Sequence, residues 1–294
     1  MIKKIAIIIV DYNGLQDSID CIESIKKTNC EESFQIIFID NASAQNEAEK
    51  VKYKYPSIIA IRSEVNKGFS AGNNIGIEYA LKAGFDYIVL LNNDTVIDSQ
   101  MMKKLREQCS EDTVVVPKMF YYSEPQKIWY AGGEINQWTG NAKNSNMGEV
   151  NSDEEGQRYC SFATGCCMMI PASVFKRTGL LNEDYFMYCE DTDFSLQLKK
   201  HGIKIKYVPA AKLWHKVSAS TGSSDSAFCI YYLTRNRFLL CKKWKKEFRW
   251  TAYPFSLLTR YIRMLQCKDM TKRKAYRDAI KDAHDGKIGR AEGY

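Results

Sequence analysis

Short apolar runs that stop at acidic and amide residues recur through the first third of the chain. Residues 4–10 stop at Asp11, residues 35–39 at Asp40, and residues 87–91 at Asn92-Asn93-Asp94. Runs of this kind, rich in isoleucine and valine and apolar on both faces, read as buried parallel strands. Helical spacing fills the gaps over residues 16–27, 44–55 (closed by Pro56) and 71–82, and residues 58–62 read as a further short strand. Strand and helix alternating at these intervals predict right-handed crossovers and an α/β fold with a mostly parallel central sheet flanked by helices. Such a sheet takes its ligands at the carboxyl ends of its strands. Taken singly, Asn92-Asn93-Asp94-Thr95 is a turn sequence, and Asp40 is an Asx turn or an N-cap to the helix that follows. Recurrence at three strand ends points instead to one crevice lined by Asp11, Asp40 and Asn92-Asn93-Asp94.

Gly68, Gly72 and Gly76 fall four apart at the start of the pattern over residues 71–82. That spacing is neither a dinucleotide fingerprint nor a phosphate loop, which disfavours a Rossmann dehydrogenase and a P-loop enzyme. The backbone around Gly68 can lie close to a donor, with Lys67 as a phosphate contact, whereas Gly72 and Gly76 read as close packing of helix on sheet. The alternation breaks over residues 121–160, and residues 136–157, rich in Asn, Gly, Ser and Glu, read as a long surface excursion. Trp129 and Trp138 are suited to stacking on a sugar ring or a lipid, or to packing under that excursion.

Cys189-Glu190-Asp191-Thr192-Asp193 precedes a helical pattern at residues 194–201, so the Asp191 carboxylate meets a positive helix end. Read alone, it is a plain acidic cap at the N-terminus of that helix. A strand over residues 203–208 leads towards His215, and the small polar residues 218–226 suit a lid. From residue 228 onward the chain is aromatic and basic. It reads as a helical appendage able to rest on an anionic membrane surface through residues 228–265, or simply as a set of solvated helix faces.

Composition narrows the classes. With 294 residues, 45% of them hydrophobic and 26% charged, the chain can bury a full core. The apolar N-terminal run meets Asp11 too early for a signal peptide, and no run reaches the about 18 to 20 apolar residues of a membrane span. Ten cysteines without a C-x-x-C pair suit a reducing cytosol and disfavour structural zinc. The net charge of +7 suits diphosphate ligands and an anionic membrane, and no nucleic-acid-binding module accompanies it.

The motifs carry a resemblance as an ordered set. Val10-Asp11-Tyr12-Asn13-Gly14, Ile39-Asp40-Asn41-Ala42-Ser43, Asn66-Lys67-Gly68-Phe69-Ser70-Ala71-Gly72-Asn73-Asn74 and Leu90-Leu91-Asn92-Asn93-Asp94-Thr95 resemble the successive motifs of family 2 glycosyltransferases. The branch resembled includes the rhamnosyltransferase-like enzymes of bacterial surface polysaccharide assembly. Thr164-Gly165-Cys166-Cys167, Gly179-Leu180-Leu181-Asn182-Glu183 and Phe186-Met187-Tyr188-Cys189-Glu190-Asp191 look like its acceptor-side motifs.

The resemblance implies a GT-A fold over residues 1–226, with a nucleotide-sugar half to about residue 120 and an acceptor half over residues 121–226, followed by a helical extension over residues 227–294. It implies that Asp11, Asn13, Asp40, Lys67, Gly68, Asn73 and Asn93 bind the donor, with Asp40 facing the base. Asp94 would hold a divalent metal, Mg²⁺ or Mn²⁺, together with Asn92 and His215. Here Asn92 stands where the family often has a carboxylate. Asp191 would be the catalytic base, and Glu190, Thr164 and Gly165 would bind the acceptor. The activity implied is inverting transfer from a UDP- or dTDP-sugar to a hydroxyl of a glycan or lipid-linked acceptor, in the cytoplasm or on the inner membrane face. A nucleotidyltransferase and a non-catalytic nucleotide-sugar-binding module are the alternatives.

Overall fold

The structure is a computed structural model that describes residues 3–28, 33–152, 156–217 and 225–294. In the first half, strands β1 (Lys4–Asp11), β2 (Ser33–Asp40), β3 (Ile59–Arg62), β4 (Tyr87–Asn92) and β5 (Thr95–Ile97) are joined through helices α1 (Leu15–Lys26), α2 (Glu47–Lys54) and α3 (Phe69–Lys82). Next come α4 (Met101–Gln108), β6 (Thr113–Tyr121), β7 (Ile128–Tyr130), β8 (Gly133–Ile135), β9 (Ala142–Asn144) and β10 (Arg158–Cys160). The chain continues through β11 (Cys167–Pro171), α5 (Ala172–Thr178), a 3-10 turn at Glu183–Tyr185, α6 (Glu190–Lys200) and β12 (Lys204–His215). Helices α7 (Ala227–Lys243), α8 (Ala252–Gln266) and α9 (Met270–His284) close the chain.

One mixed, mostly parallel sheet runs in the order β10-β12-β6-β11-β4-β1-β2-β3, with β5 paired to β12 and β7 to β6. Its β3-β2-β1-β4 half is parallel, and β11 enters antiparallel between β4 and β6. Ile5, Ile7, Ile8 and Ile9 of β1 are fully buried, because helices cover both faces of that strand. Each such side chain contributes about 2 kcal/mol of burial free energy. Register then does the positioning: Asp11 lies opposite Asp40, and Val10 opposite Asn92, so three polar strand ends meet at one edge.

Two sequence expectations change, and a third lies largely outside the described residues. The excursion over residues 136–157 contains regular structure, with β8 and β9 forming an antiparallel hairpin whose tip is closed by a Gly140 N–H to Asn136 carbonyl bond of 2.8 Å. The strand expected to end at residue 208 runs on to His215, because a register shift between Val208 and Lys212 absorbs Pro209, which has no N–H for the ladder. The lid expected at residues 218–226 falls largely on residues 218–224, which lie outside the described residues.

Gly72 and Gly76 are packing glycines. A Cβ on either would come within 2.7 and 2.6 Å of the Val10 and Ile8 side chains of β1, so α3 lies on the sheet only because both are absent.

Candidate active site

Asp11 is the hub of the strand ends. It is fully buried, and its carboxylate accepts from the Asn93 amide at 2.9 Å, from the Ser43 hydroxyl at 3.4 Å and from the Ser18 hydroxyl at 2.5 Å. Asn13, in the left-handed region at φ 56°, accepts from Ala44 N–H at 2.8 Å and donates its own N–H to Ser43 Oγ at 2.9 Å. The loops after β1 and β2 are thereby tied together. Glu47 joins from the first turn of α2, accepting from Ser43 Oγ at 3.2 Å. Burial, then the neighbouring Asp11, push its carboxyl up to about 8.

Asp40 stands at the end of β2 among protein donors. It is fully buried and accepts from the backbone N–H groups of Ser43, Glu47 and Ala48 at 2.8, 3.0 and 3.3 Å, and from Arg62 Nη1 at 3.1 Å. It thereby ties the first turn of α2 and Arg62 to the end of β2. Asn73 is buried, and its amide donates to Phe69 carbonyl within α3 at 2.9 Å. Lys67 is exposed beside the crevice.

Gly68 has a packing requirement of its own. At φ +97°, its missing Cβ would lie 2.1 Å from the carbonyl oxygen of Phe186, which accepts from Phe69 N–H at 2.8 Å. The loop before α3 thus abuts the segment that leads into α6 directly. Asn74 reinforces that seam, donating to Leu181 carbonyl at 2.9 Å and to Glu183 at 2.8 Å while accepting from Leu181 N–H at 3.0 Å.

Asn92, Asp94 and His215 come together. β5 pairs with the end of β12 so that His215 lies opposite Thr95, and His215 Nε2 stands 3.1 Å from Asp94 Oδ1. Trp129 packs edge-on against the imidazole at 4.4 Å between ring centroids, which fixes its plane. Asn92 Oδ1 and His215 Nδ1 are buried without a hydrogen-bond partner. A carboxylate, an imidazole and an unpartnered amide oxygen suit a divalent cation completed by phosphate and water oxygens. Among the described residues no group of three or more His, Cys, Asp or Glu side chains is arranged to hold a metal ion.

The acceptor-side acids stand across the same strand pair. β11 runs antiparallel to β4, and Cys166 carbonyl accepts from Asn92 N–H at 2.8 Å, so residues 164–166 abut the metal-side strand end. Gly165 N–H donates to Asp191 Oδ2 at 3.2 Å, and Thr192 donates to Oδ1 from its N–H at 2.7 Å and its hydroxyl at 3.3 Å. Thr164 is buried and Gly165 holds the carboxylate of Asp191, with Phe69 beside it at 3.1 Å from a built Cβ.

Glu190 is buried, its Oε2 lacks a partner, and burial together with the Asp191 charge pushes its carboxyl up to about 8. Asp191 is also raised by burial, an effect opposed by the Gly165 and Thr192 donors and by Arg237. At neutral pH Glu190 therefore holds its proton, while the donors around Asp191 favour its charged form.

Sequence reasoning missed the clamp behind this pair. Phe186, Tyr188 and Cys189 occupy the left-handed region at φ 62°, 67° and 72°, a conformation that needs support. The Asn236 amide on α7 supplies it, donating to the carbonyls of Tyr185, Met187 and Tyr188 at 2.7, 2.7 and 3.0 Å. Arg235, fully buried, donates to Tyr185 carbonyl at 3.1 Å. The visible signal was Arg235-Asn236-Arg237, three polar residues inside an otherwise apolar helical run.

The model of glycosyl transferase family 2 matches residues 6–179. The chain is 26% identical over 242 residues to the low-salt glycan biosynthesis hexosyltransferase of Haloferax volcanii, covering 81% of this chain and 76% of that protein. It is 24% identical to the dTDP-rhamnosyl transferase RfbF of Shigella flexneri, covering 83% and 81%. It is 23% identical to an N-acetylglucosaminyl-diphospho-decaprenol L-rhamnosyltransferase of Mycobacterium tuberculosis, covering 75% and 80%. Among solved structures, GalNAc-T7 with UDP, GalNAc and Mn²⁺ superposes with a TM-score of 0.66 at 15% identity, over 97% of this chain but only 56% of that one. TarS of S. aureus with UDP-GlcNAc gives a TM-score of 0.60 at 14% identity, covering 95% and 80%. These likenesses establish the GT-A type of fold.

Proposed function

The chain belongs to glycosyl transferase family 2, and from that membership we propose that it moves a hexose or deoxyhexose, with inversion, from a UDP- or dTDP-sugar to a hydroxyl of a glycan or lipid-linked acceptor. Surface polysaccharide assembly in the cytoplasm is the setting. The relatives' printed names, a dTDP-rhamnosyl transferase and a transferase acting on a diphospho-decaprenol acceptor, support these classes of donor and acceptor.

The observation that carries the reading is the placement of two acidic sites on one strand pair. Asp94 with His215 lies beyond the end of β4, and Asp191 is held by the segment that leads into its partner β11. The nucleoside diphosphate lies over the ends of β1, β2 and β4, where Asn13, Lys67 and the Asp11 network with Asn93 shape the pocket. Asp94, His215 and Asn92 would hold Mg²⁺ or Mn²⁺, which when bound offsets the negative charge on the leaving diphosphate.

Asp191 accepts the proton of the acceptor hydroxyl as its oxygen attacks the anomeric carbon. The new C–O bond forms on the face opposite the bond that breaks, and the electron pair of the broken bond leaves on the diphosphate. Attack in line, with one base and no covalent intermediate, inverts the centre. Glu190, protonated, donates a hydrogen bond towards the acceptor, and Thr164 borders its path. Residues 1–226 act as the transferase domain. Residues 227–294 act as a helical extension whose Ala275 and Ala279 pack on Tyr231 and Tyr232 and whose Asn236 braces the base loop.

Incubation with a panel of UDP- and dTDP-sugars and hydroxyl acceptors tests this, with nucleoside diphosphate release as the readout. Release of UDP or dTDP coupled to a glycosylated product is the expected result. Pyrophosphate release would make the protein a nucleotidyltransferase, and donor binding without turnover would make it a binding module.

A further inference from the structure

Helix α8 is amphipathic in the outward sense. Phe255, Leu257, Leu258, Tyr261, Ile262 and Leu265 recur three and four apart on one face and are 39–60% exposed. Its inward face is slight: the buried residues are Ala252 and Ser256. A soluble helix normally turns its wide apolar stripe to the core, so a stripe turned outward is a surface awaiting contact.

Two tryptophans stand at the start of that stripe. Trp250 is 83% exposed and Trp138, from the tip of the β8–β9 hairpin, is 57% exposed. The pairing is built in, because Thr251 Oγ1 donates to Trp138 carbonyl at 2.8 Å and Arg249 N–H to Gln137 carbonyl at 2.9 Å. Tryptophan and tyrosine with leucine beside them is the composition of a membrane–water boundary. The charges agree. Lys245, Lys246, Arg249, Arg263 and Lys268 are exposed around the helix, and no acidic residue occurs between Glu247 and Asp269. At 15 residues α8 is about 22 Å long, and among the described residues no helix is long and apolar enough to cross a membrane. Such a helix lies in the interface plane.

We propose that the outer face of α8, with Trp138 and Trp250, is the seat of this protein on an anionic lipid surface. This narrows and corrects the sequence expectation for residues 228–265. Cys229, Ile230, Tyr231, Tyr232, Phe238 and Leu240 of α7 are buried in the protein, so α7 cannot reach a bilayer. The contact is independent of the transfer chemistry.

The full chain is sedimented with vesicles of phosphatidylcholine alone and of phosphatidylcholine mixed with phosphatidylglycerol. The wild-type protein co-sediments with the anionic vesicles and is released by salt. Leu258→Glu combined with Ile262→Glu lowers the partition coefficient by about tenfold or more, while circular dichroism shows the fold retained. Tyr53→Glu, at an exposed tyrosine on α2, leaves partition unchanged. Equal partition of the double variant and the wild type would overturn the proposal. So would a wild-type protein that ignores vesicles but forms a dimer in the ultracentrifuge that the double variant loses, since the face would then belong to a second copy of the chain.

Discussion

The backbone N–H of Gly165 donates to Asp191 Oδ2 at 3.2 Å, joining the segment that enters β11 to the first turn of α6. With the two Thr192 donors it favours the ionised carboxylate against the burial that raises its pKa. A base must be unprotonated, so transfer is lost as pH falls through the pKa of Asp191. Thr192→Val removes one donor and raises that pKa further. The acid limb of the kcat/KM profile should therefore move to higher pH, by a few tenths to about one unit. A limb that stays in place or moves to lower pH would separate Asp191 from the limb.

Glu190 gives a stability prediction of definite sign. Its carboxyl is raised from the usual 4.5 to about 8, so the folded state holds a proton that the unfolded chain releases earlier. Its contribution to stability is full below pH 4.5 and is lost as pH rises through 8. Glu190→Gln cannot ionise. Its unfolding free energy relative to wild type should improve between pH 5 and pH 9, by an amount on the order of a few kcal/mol. Urea titrations at both pH values measure this, and a difference independent of pH would count against the buried acid.

The Asp94–His215 contact of 3.1 Å makes the cation test specific. Calorimetric titration with UDP or dTDP should show tighter binding when Mn²⁺ is present. Asp94→Ala should abolish that gain, and His215→Ala should reduce it by about tenfold or more. Metal-assisted binding that survives intact in Asp94→Ala would place the cation elsewhere.

Asn236 braces the base loop from a helix that carries no chemistry of its own. Asn236→Leu leaves the carbonyls of Tyr185, Met187 and Tyr188 short of a donor next to three residues with positive φ. Loss of about 2–4 kcal/mol in unfolding free energy is expected. In the protein that remains folded, kcat should fall more steeply than donor affinity, because the loop leads straight into Asp191 and meets the loop before α3 only through the Phe186 carbonyl. A proportionate loss of donor affinity would indicate a general structural defect.

The strand ends were legible because a buried strand must be apolar until it stops, which makes Asp11, Asp40 and Asn92-Asn93-Asp94 stand out in the sequence. What each carboxylate does was less legible. Asp40 reads in sequence as a cap or as a base contact, and the donors that surround it, Arg62 among them, come from elements the strand pattern does not reveal. Gly68 was recognised as special, but the atom that requires it, the Phe186 carbonyl, lies more than a hundred residues away. The continuation of β12 through Pro209 was hidden because a bulge suspends the rule that proline ends a ladder. The outward stripe of α8 was present as periodicity, yet periodicity alone does not say which way a face turns.

The most direct test of the central claim is single-turnover transfer by Asp191→Asn, measured beside donor affinity in the same preparation. The account predicts a rate lowered by about a hundredfold or more, with donor affinity within a few-fold of wild type, because a base is lost and no nucleotide contact is. Transfer at the wild-type rate in that variant would contradict it.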